Sequence, residues 1–159
     1  MTIKVGDSIP SMKLMQGTAD GPKEISTDDI FKGKKVVLFS VPGAFTPTCS
    51  AKHLHGFVQN AAAFKAKGVD SIVCMAVNDA FVMGAWGKAQ NAGDIIMLAD
   101  GSANLTKALG LELDLAARNM GVRGQRFALV AQDGKVTHLA VEPPGGFGVS
   151  SAEEVLKHV

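Results

Sequence analysis

The sequence predicts a single α/β domain with a mixed β-sheet and helices on both of its faces. Two observations carry this prediction. Short apolar runs of strand length alternate with segments whose apolar residues recur at helical spacing. Near the end of the chain, Asp133-Gly134 stands between two apolar runs, which is a strong signal for an antiparallel hairpin. Because the 159 residues contain no repeat, linker or low-complexity tract, we expect one domain spanning residues 1–159.

The first part of the chain is rich in turn-forming residues. Residues 2–29 predict turns with one or two short strands at the edge of the domain. Residues 26–29 are suited to capping a short helix that runs through Phe31 and stops at Gly33.

The central stretch predicts a buried strand followed by a helix. Residues 36–39 form a β-branched apolar run, which is typical of a strand buried on both faces. Thr46 suits an N-cap and Pro47 suits the first helical position. This register places Thr48 and Cys49 in the first turn of the helix.

The later elements alternate in the same way. Asn78-Asp79 is expected to start a helix over residues 80–91, with Phe81, Val82 and Trp86 in the core. Ser102 is expected to cap the helix after that, whereas residues 111–123 show no clear period. The remaining predictions are strands at 69–77, 95–99, 127–131 and 136–141, a loop at 143–146 and a last helix from Ser150-Ser151.

Composition excludes several classes of function. The net charge is +1 with no basic cluster, so nucleic-acid binding is disfavoured. The first residues lack the apolar segment of a signal peptide, and no run approaches transmembrane length. The two cysteines form no disulfide framework, and the four histidines show no metal-ligand spacing. We therefore expect a cytoplasmic protein without a metal or cofactor.

Cys49 stands in an unusual electrostatic setting. In the first turn of a helix, unpaired amide N–H groups and the positive end of the dipole favour thiolate over thiol. This placement predicts a nucleophile. Arg126 and Arg123 are candidates for a guanidinium near the sulfur, because Arg123 ends the irregular stretch and Arg126 follows it.

These residues carry a family resemblance. Residues 42–49, PGAFTPTC, resemble the active-site motif of peroxiredoxins, Pro-x-x-x-Thr-x-x-Cys. Together with VNDAFVMGAW at 77–86 and RFALV at 126–130, they resemble the type II, peroxiredoxin-five-like subgroup. The resemblance covers nearly the whole chain. It implies a thioredoxin-like fold and a thiol peroxidase that reduces hydrogen peroxide and organic hydroperoxides.

The resemblance also implies roles for individual residues. Cys49 would be the peroxidatic cysteine and pass through a sulfenic acid, and Thr46 would hydrogen-bond peroxide and thiolate. Arg126 would be the active-site arginine, and Pro42 would shield the pocket from solvent. Three further residues are expected at the substrate pocket: Gly43, Thr48 and His53. A homodimer with its interface near Phe45 and residues 78–79 is implied as well.

Recycling of the oxidised cysteine needs a second thiol. Cys74 lies inside an apolar run and is best interpreted as a buried core thiol, although some type II enzymes assign a similar cysteine a resolving role. Others in the subgroup carry a resolving cysteine near the C-terminal loop, where residues 148–151 here contain none. We therefore expect an external reductant, glutaredoxin with glutathione or thioredoxin.

Two alternatives remain open. A thiol–disulfide oxidoreductase on the same fold is disfavoured, because no second cysteine stands three residues from Cys49. A redox sensor or chaperone-like switch would use Cys49 for slow, stoichiometric oxidation without turnover.

Overall fold

The computed structural model describes all residues, 1–159, and contains a seven-stranded mixed sheet and a separate two-stranded sheet. The strands are β1 (Lys13–Thr18), β2 (Gly21–Ser26), β3 (Lys35–Ser40), β4 (Ser71–Ala76), β5 (Ile96–Ala99), β6 (Glu112–Leu115), β7 (Gly121–Gly124), β8 (Phe127–Gln132) and β9 (Lys135–Val141). The helices are α1 (Thr27–Phe31), α2 (His55–Ala66), α3 (Ala80–Ala89), α4 (Asn104–Ala108) and α5 (Ala152–Leu156).

The strand order of the large sheet is β2-β1-β5-β4-β3-β8-β9. The three central strands β5, β4 and β3 are parallel, and the other neighbours pair antiparallel. Parallel strands joined by helices must be covered on both faces, which explains why β3 and β4 are apolar runs without alternation. The predicted strands at the centre of the sheet are confirmed.

Two apolar cores lie on opposite faces of this sheet. One contains Phe57 and Phe64 of α2, Trp86 of α3 and Val155 of α5. The other contains residues of α1 and α4, among them Phe31 and Leu105. The predicted fold class, a mixed sheet with helices on both faces, is confirmed.

The hairpin between β8 and β9 follows from its turn residues. Asp133 and Gly134 have φ values of 51° and 78°. A two-residue turn with positive φ at both positions matches the right-handed twist of the flanking strands, and Asp-Gly adopts it readily.

Helix caps confirm some predictions and correct others. Ser26 and Asp29 form a reciprocal capping box at α1, and the Asp79 side chain accepts from the Val82 N–H at α3. The predicted cap Ser102 is wrong. Ala103 occupies the cap position of α4 in a left-handed conformation, and the Asp100 carboxylate accepts from the Leu105 N–H instead.

Two other sequence predictions need correction, and the structure assigns a stretch for which no element was predicted. Helix α3 ends at Ala89 rather than at residue 91. Phe81 is 74% exposed rather than part of the core, whereas Trp86 is fully buried. The stretch without a clear period, residues 111–123, contributes β6 and most of β7, which pair antiparallel around a short 3-10 turn. None of the helices is long and apolar enough to cross a membrane.

Candidate active site

Cys49 lies just beyond the end of β3, where the chain leaves the sheet and enters a helix. The helical conformation begins at Pro47, as predicted, and runs through a π-helical segment, Cys49–Leu54, into α2. The first backbone bond of this helix joins Ser50 N–H to Thr46 O at 3.0 Å. The N–H groups of Thr48 and Cys49 therefore precede the helical ladder, and Cys49 stands at the positive end of the helix dipole.

Arg126 contacts the sulfur directly. Its Nη2 donates to Cys49 Sγ at 3.0 Å, and its Nη1 donates to His53 Nδ1 at 2.9 Å. Because a guanidinium remains charged, this contact stabilises a thiolate more than a neutral thiol. Cys49 is fully buried, so solvent screens this pair weakly.

His53 is a buried, neutral acceptor. Its Nε2 lies 2.9 Å from Ser150 O. Since a carbonyl can only accept, Nε2 carries the proton, and Nδ1 is left with the lone pair that accepts from Arg126. Burial, followed by the charge of Arg126, lowers the pKa of His53 to about 3.

Aromatic rings enclose this pair. The His53 ring lies between Phe39 and Phe147, with centroid distances of 4.8 and 5.2 Å. The Arg126 guanidinium lies 5.9 Å from the centroid of the Phe147 ring. Phe147 therefore packs against both the imidazole and the guanidinium, whose charge its ring face attracts.

The loop before the helix packs tightly against its neighbours. Thr46 stands at the N-cap position, but its hydroxyl donates to Gly43 O at 2.8 Å and does not cap an amide. A Cβ on Gly43 would lie 3.2 Å from Arg123 Nη1, which itself donates to Pro42 O at 3.4 Å. Of the two candidate arginines, Arg126 therefore contacts the sulfur and Arg123 supports the loop.

A cleft of about 170 Å³ opens beside this site. Its lining includes three residues predicted or observed near the sulfur, namely Pro42, Thr48 and Arg126. Larger clefts of about 410 and 520 Å³ lie elsewhere, beside the loop between α3 and β5. Arg126 lines the small cleft, whereas Cys49 and Thr46 are not among its lining residues.

Cys74 lies in the same apolar core as Cys49 but makes no polar contact with it. It is paired in register with Phe39 on β3, is fully buried and is a free thiol. Burial, with a smaller contribution from Cys49, raises the pKa of the Cys74 thiol. This environment disfavours its thiolate.

Sequence reasoning missed two residues of this site, Glu142 and Ser150. Both are buried, and Glu142 Oε2 accepts from Ser150 Oγ at 2.6 Å. Burial alone would raise the pKa of Glu142, but hydrogen bonds from Ser150 and the backbone of residues 148–150 lower it overall. No periodic pattern marks either residue, because Glu142 and Ser150 meet across an irregular loop and the other partner of Ser150, His53, lies 97 positions away.

A family model described as Redoxin matches residues 4–156. Peroxiredoxin-2B of Arabidopsis thaliana is 50% identical over 157 residues, covering 98% of this chain and 97% of that protein. The chloroplastic Peroxiredoxin-2E-2 of Oryza sativa subsp. japonica is 51% identical over 162 residues, covering 98% of this chain and 72% of that protein.

Solved structures of peroxiredoxins are also similar to this chain. Reduced Prx3 of Vibrio vulnificus in complex with H2O2 has a TM-score of 0.93 and 53% identity, with 98% of each chain covered. Peroxiredoxin 5 of Alvinella pompejana has a TM-score of 0.87 and 36% identity, covering 98% of this chain and 97% of that one.

Proposed function

Since the chain belongs to the peroxiredoxins of type II and is a thiol-dependent peroxidase, we propose that Cys49 is the thiol that attacks the peroxide. One observation carries this assignment. Of the two cysteines, Cys49 alone combines a position in the first turn of a helix with a guanidinium donor, Arg126 Nη2, at 3.0 Å. Cys74 lies in apolar surroundings that disfavour a thiolate.

The proposed reaction forms one bond and breaks one. The Cys49 thiolate attacks one peroxide oxygen, the O–O bond breaks, and the sulfur becomes a sulfenic acid. The other oxygen leaves with the bonding electron pair, takes a proton and departs as water or an alcohol. Because negative charge moves from sulfur to the leaving oxygen, fixed donors aimed at that oxygen lower the barrier.

The donors available for this charge lie around the sulfur. We propose that the charge on the leaving oxygen is stabilised by Arg126, the first-turn amides and Thr46. The peroxide would be enclosed by Pro42, Gly43 and Thr48. His53 would orient Arg126. The hydroxyl of Thr46 is bonded to Gly43 O in this structure, and its oxygen can still accept from a peroxide O–H. A peroxide that replaced Gly43 O as the acceptor would also accept a hydrogen bond from the Thr46 hydroxyl.

Recycling is proposed to use an external thiol. One thiol would condense with the Cys49 sulfenic acid, releasing water and forming a mixed disulfide, and a second thiol would release Cys49 by exchange. Glutaredoxin with glutathione, or thioredoxin, is the proposed source. The burial of Cys74 and the serines at residues 150–151 support this choice over an internal disulfide.

Assembly and location are proposed on separate grounds. Phe45 and Phe81 are 54% and 74% exposed, and the Ala44 N–H donates to Asn78 Oδ1, which holds their two segments together. These exposed rings support a homodimer interface beside the site. A reducing, cytoplasmic location is proposed from the low cysteine content.

Stopped-flow oxidation of the reduced protein by substoichiometric hydrogen peroxide tests the role of Cys49. We expect fast loss of one thiol, persisting below pH 8.5, about the pKa of an ordinary cysteine. Cys49→Ser should abolish this phase, and Cys74→Ser, the matched control, should retain it. Oxidation as slow as that of a free thiol, or no turnover with any thiol reductant, would favour the redox-sensor alternative.

A further inference from the structure

A continuous chain of hydrogen bonds runs from Glu142 to Cys49. Glu142 Oε2 accepts from Ser150 N at 2.8 Å, from Ser150 Oγ at 2.6 Å and from Gly148 N at 2.7 Å. Ser150 O accepts from His53, and His53 accepts from Arg126, which donates to the sulfur. Ser150 and His53 are fully buried, and Glu142 is 6% exposed.

Only one protonation state of His53 fits both of its neighbours. With the proton on Nε2, the ring donates to the Ser150 carbonyl and accepts from Arg126. With the proton on Nδ1, two N–H donors would face each other at Arg126, and two acceptors would face each other at Ser150. In a buried site, unpaired groups of this kind are costly, so Arg126 would have to move.

The Ser150 carbonyl depends on Glu142 for its position. Residues 143–149 form no regular element and include Pro143, Pro144 and three glycines. The other backbone bonds of this loop are local, such as Gly146 N–H to Pro143 O. The Glu142 carboxylate therefore supplies the loop's attachment to the end of β9. At that end, the Glu142 N–H also donates to Arg126 O at 2.9 Å.

We propose that Glu142 and Ser150 are positioning residues of the peroxidase reaction. By holding the Ser150 carbonyl against His53, they select the Nε2–H form of the imidazole and thereby keep Arg126 aimed at Cys49. This inference rests on the proposed role of Cys49. Neither Glu142 nor Ser150 touches the sulfur, so their effect on the reaction passes through His53 and Arg126.

The test compares Glu142→Ala with Glu153→Ala, which removes an exposed glutamate from α5. The stopped-flow rate of Cys49 oxidation by hydrogen peroxide should fall about tenfold to a hundredfold in Glu142→Ala, as expected for a misplaced catalytic group. ¹⁵N NMR of His53 in the reduced protein should show loss of the single Nε2–H form. Glu153→Ala should match wild type in both measurements.

Two further variants make the test decisive. Glu142→Gln keeps an acceptor oxygen and should retain the Nε2–H form and most of the rate. Ser150→Ala removes one of the three bonds to Glu142 and should show a smaller effect than Glu142→Ala in both measurements, which preserves the test if Glu142→Ala does not fold. An unchanged rate or an unchanged His53 signal in a folded Glu142→Ala, or in Ser150→Ala if the former fails to fold, would overturn the proposal.

The failure of the Cys49 assignment is distinguishable from the failure of this inference. The His53 signal needs no reactive thiol and can be recorded in a Cys49→Ser background, where Glu142→Ala should still alter it. If Cys49 were not the reacting thiol, wild type would lack fast oxidation while this change in the His53 signal persisted.

Discussion

At the scale of the residue, Cys49 and Cys74 lie in one apolar core and differ in their polar contacts. Cys49 has a guanidinium donor at 3.0 Å and the first turn of a helix, whereas Cys74 faces apolar neighbours within the sheet. Since the thiolate is the nucleophile, this difference supports the proposal that Cys49, and not Cys74, is the reacting thiol. The residue that sustains the contact is His53, which holds the other half of the Arg126 guanidinium.

The neutral state of His53 has a consequence for stability. Its pKa is lowered to about 3 in the folded protein by burial and by Arg126, against about 6.5 in the unfolded chain. The unfolded state therefore binds the proton more tightly between these values. Above pH 6.5, protonation of His53 does not reduce the free energy of unfolding. As the pH falls from 6.5 toward 3, the free energy of unfolding decreases by about 1.4 kcal/mol per pH unit for this one proton.

Urea unfolding of wild type and His53→Gln between pH 8 and pH 4.5 measures this effect. Wild type should lose more free energy of unfolding than the variant as the pH falls below 6.5, because the variant lacks the titrating ring. His55→Gln, at an exposed position, should follow wild type. Parallel curves for wild type and His53→Gln would contradict the buried neutral imidazole.

At the scale of the element, α3 approaches β1 so closely that glycine is required. A Cβ on Gly17 would lie 2.6 Å from Ala80 O and closer still to Gly84 N, both of them backbone atoms of α3. Backbone atoms cannot move aside as a flexible side chain can. The packing of α3 on the sheet, and with it the position of Trp86 and Ser50 beside the site, depends on this contact.

We predict opposite effects for two glycine substitutions. Gly17→Ala should lower the free energy of unfolding by about 1–3 kcal/mol or more, because overpacking forces the helix from the sheet. Gly56→Ala should raise it by up to about 1 kcal/mol, since its Cβ would meet only Ala152 Cβ at 3.7 Å within a helix. Urea denaturation of both variants checks the sign, and equal stabilities would refute the close approach.

Local elements could be predicted from the sequence, and contacts between distant segments could not. The strand ending at Ser40 and the helix starting at Pro47 follow from their own residues. The prediction that Ser102 caps α4 was wrong, because the carboxylate at that helix start belongs to Asp100. This carboxylate accepts from the N–H of Leu105, five residues further along the chain. The contact between His53 and Ser150 spans 97 positions, so no local pattern reveals it.

At the scale of the whole molecule, the fold brings together three segments that are remote in the chain. Cys49 and His53 come from the segment after β3, Arg126 from the position just before β8, and Ser150 from the loop before α5. Because β3 and β8 are neighbours in the sheet, the first two segments meet at one end of it. The third segment is held there by Glu142, which explains why the motif alone predicted only part of the site.

The proposed homodimer leads to a prediction at the same scale. Phe81 is 74% exposed at the start of α3, and Phe45 packs near Trp86 of that helix with a centroid distance of 6.5 Å. Buried aromatic rings at the centre of an interface commonly contribute 2 kcal/mol or more, roughly a thirtyfold change in dissociation constant. Phe81→Ser should therefore shift the equilibrium from dimer toward monomer, as measured by sedimentation velocity over a range of concentrations.

Val5→Ser provides the control for this measurement. Val5 is 59% exposed, and the neighbouring Gly6 N–H donates to Val136 O of β9, at the opposite edge of the sheet from α3. The substitution removes a comparable exposed apolar side chain and should leave the mass unchanged. A wild-type protein that sediments as a monomer at every concentration would contradict the homodimer. A Phe81→Ser variant that dimerises as well as wild type would show that the interface lies elsewhere.

The dimer should also affect the reaction, because Phe45 adjoins the loop that carries Thr46. Loss of the dimer in Phe81→Ser should therefore slow the oxidation of Cys49, whereas Val5→Ser should not.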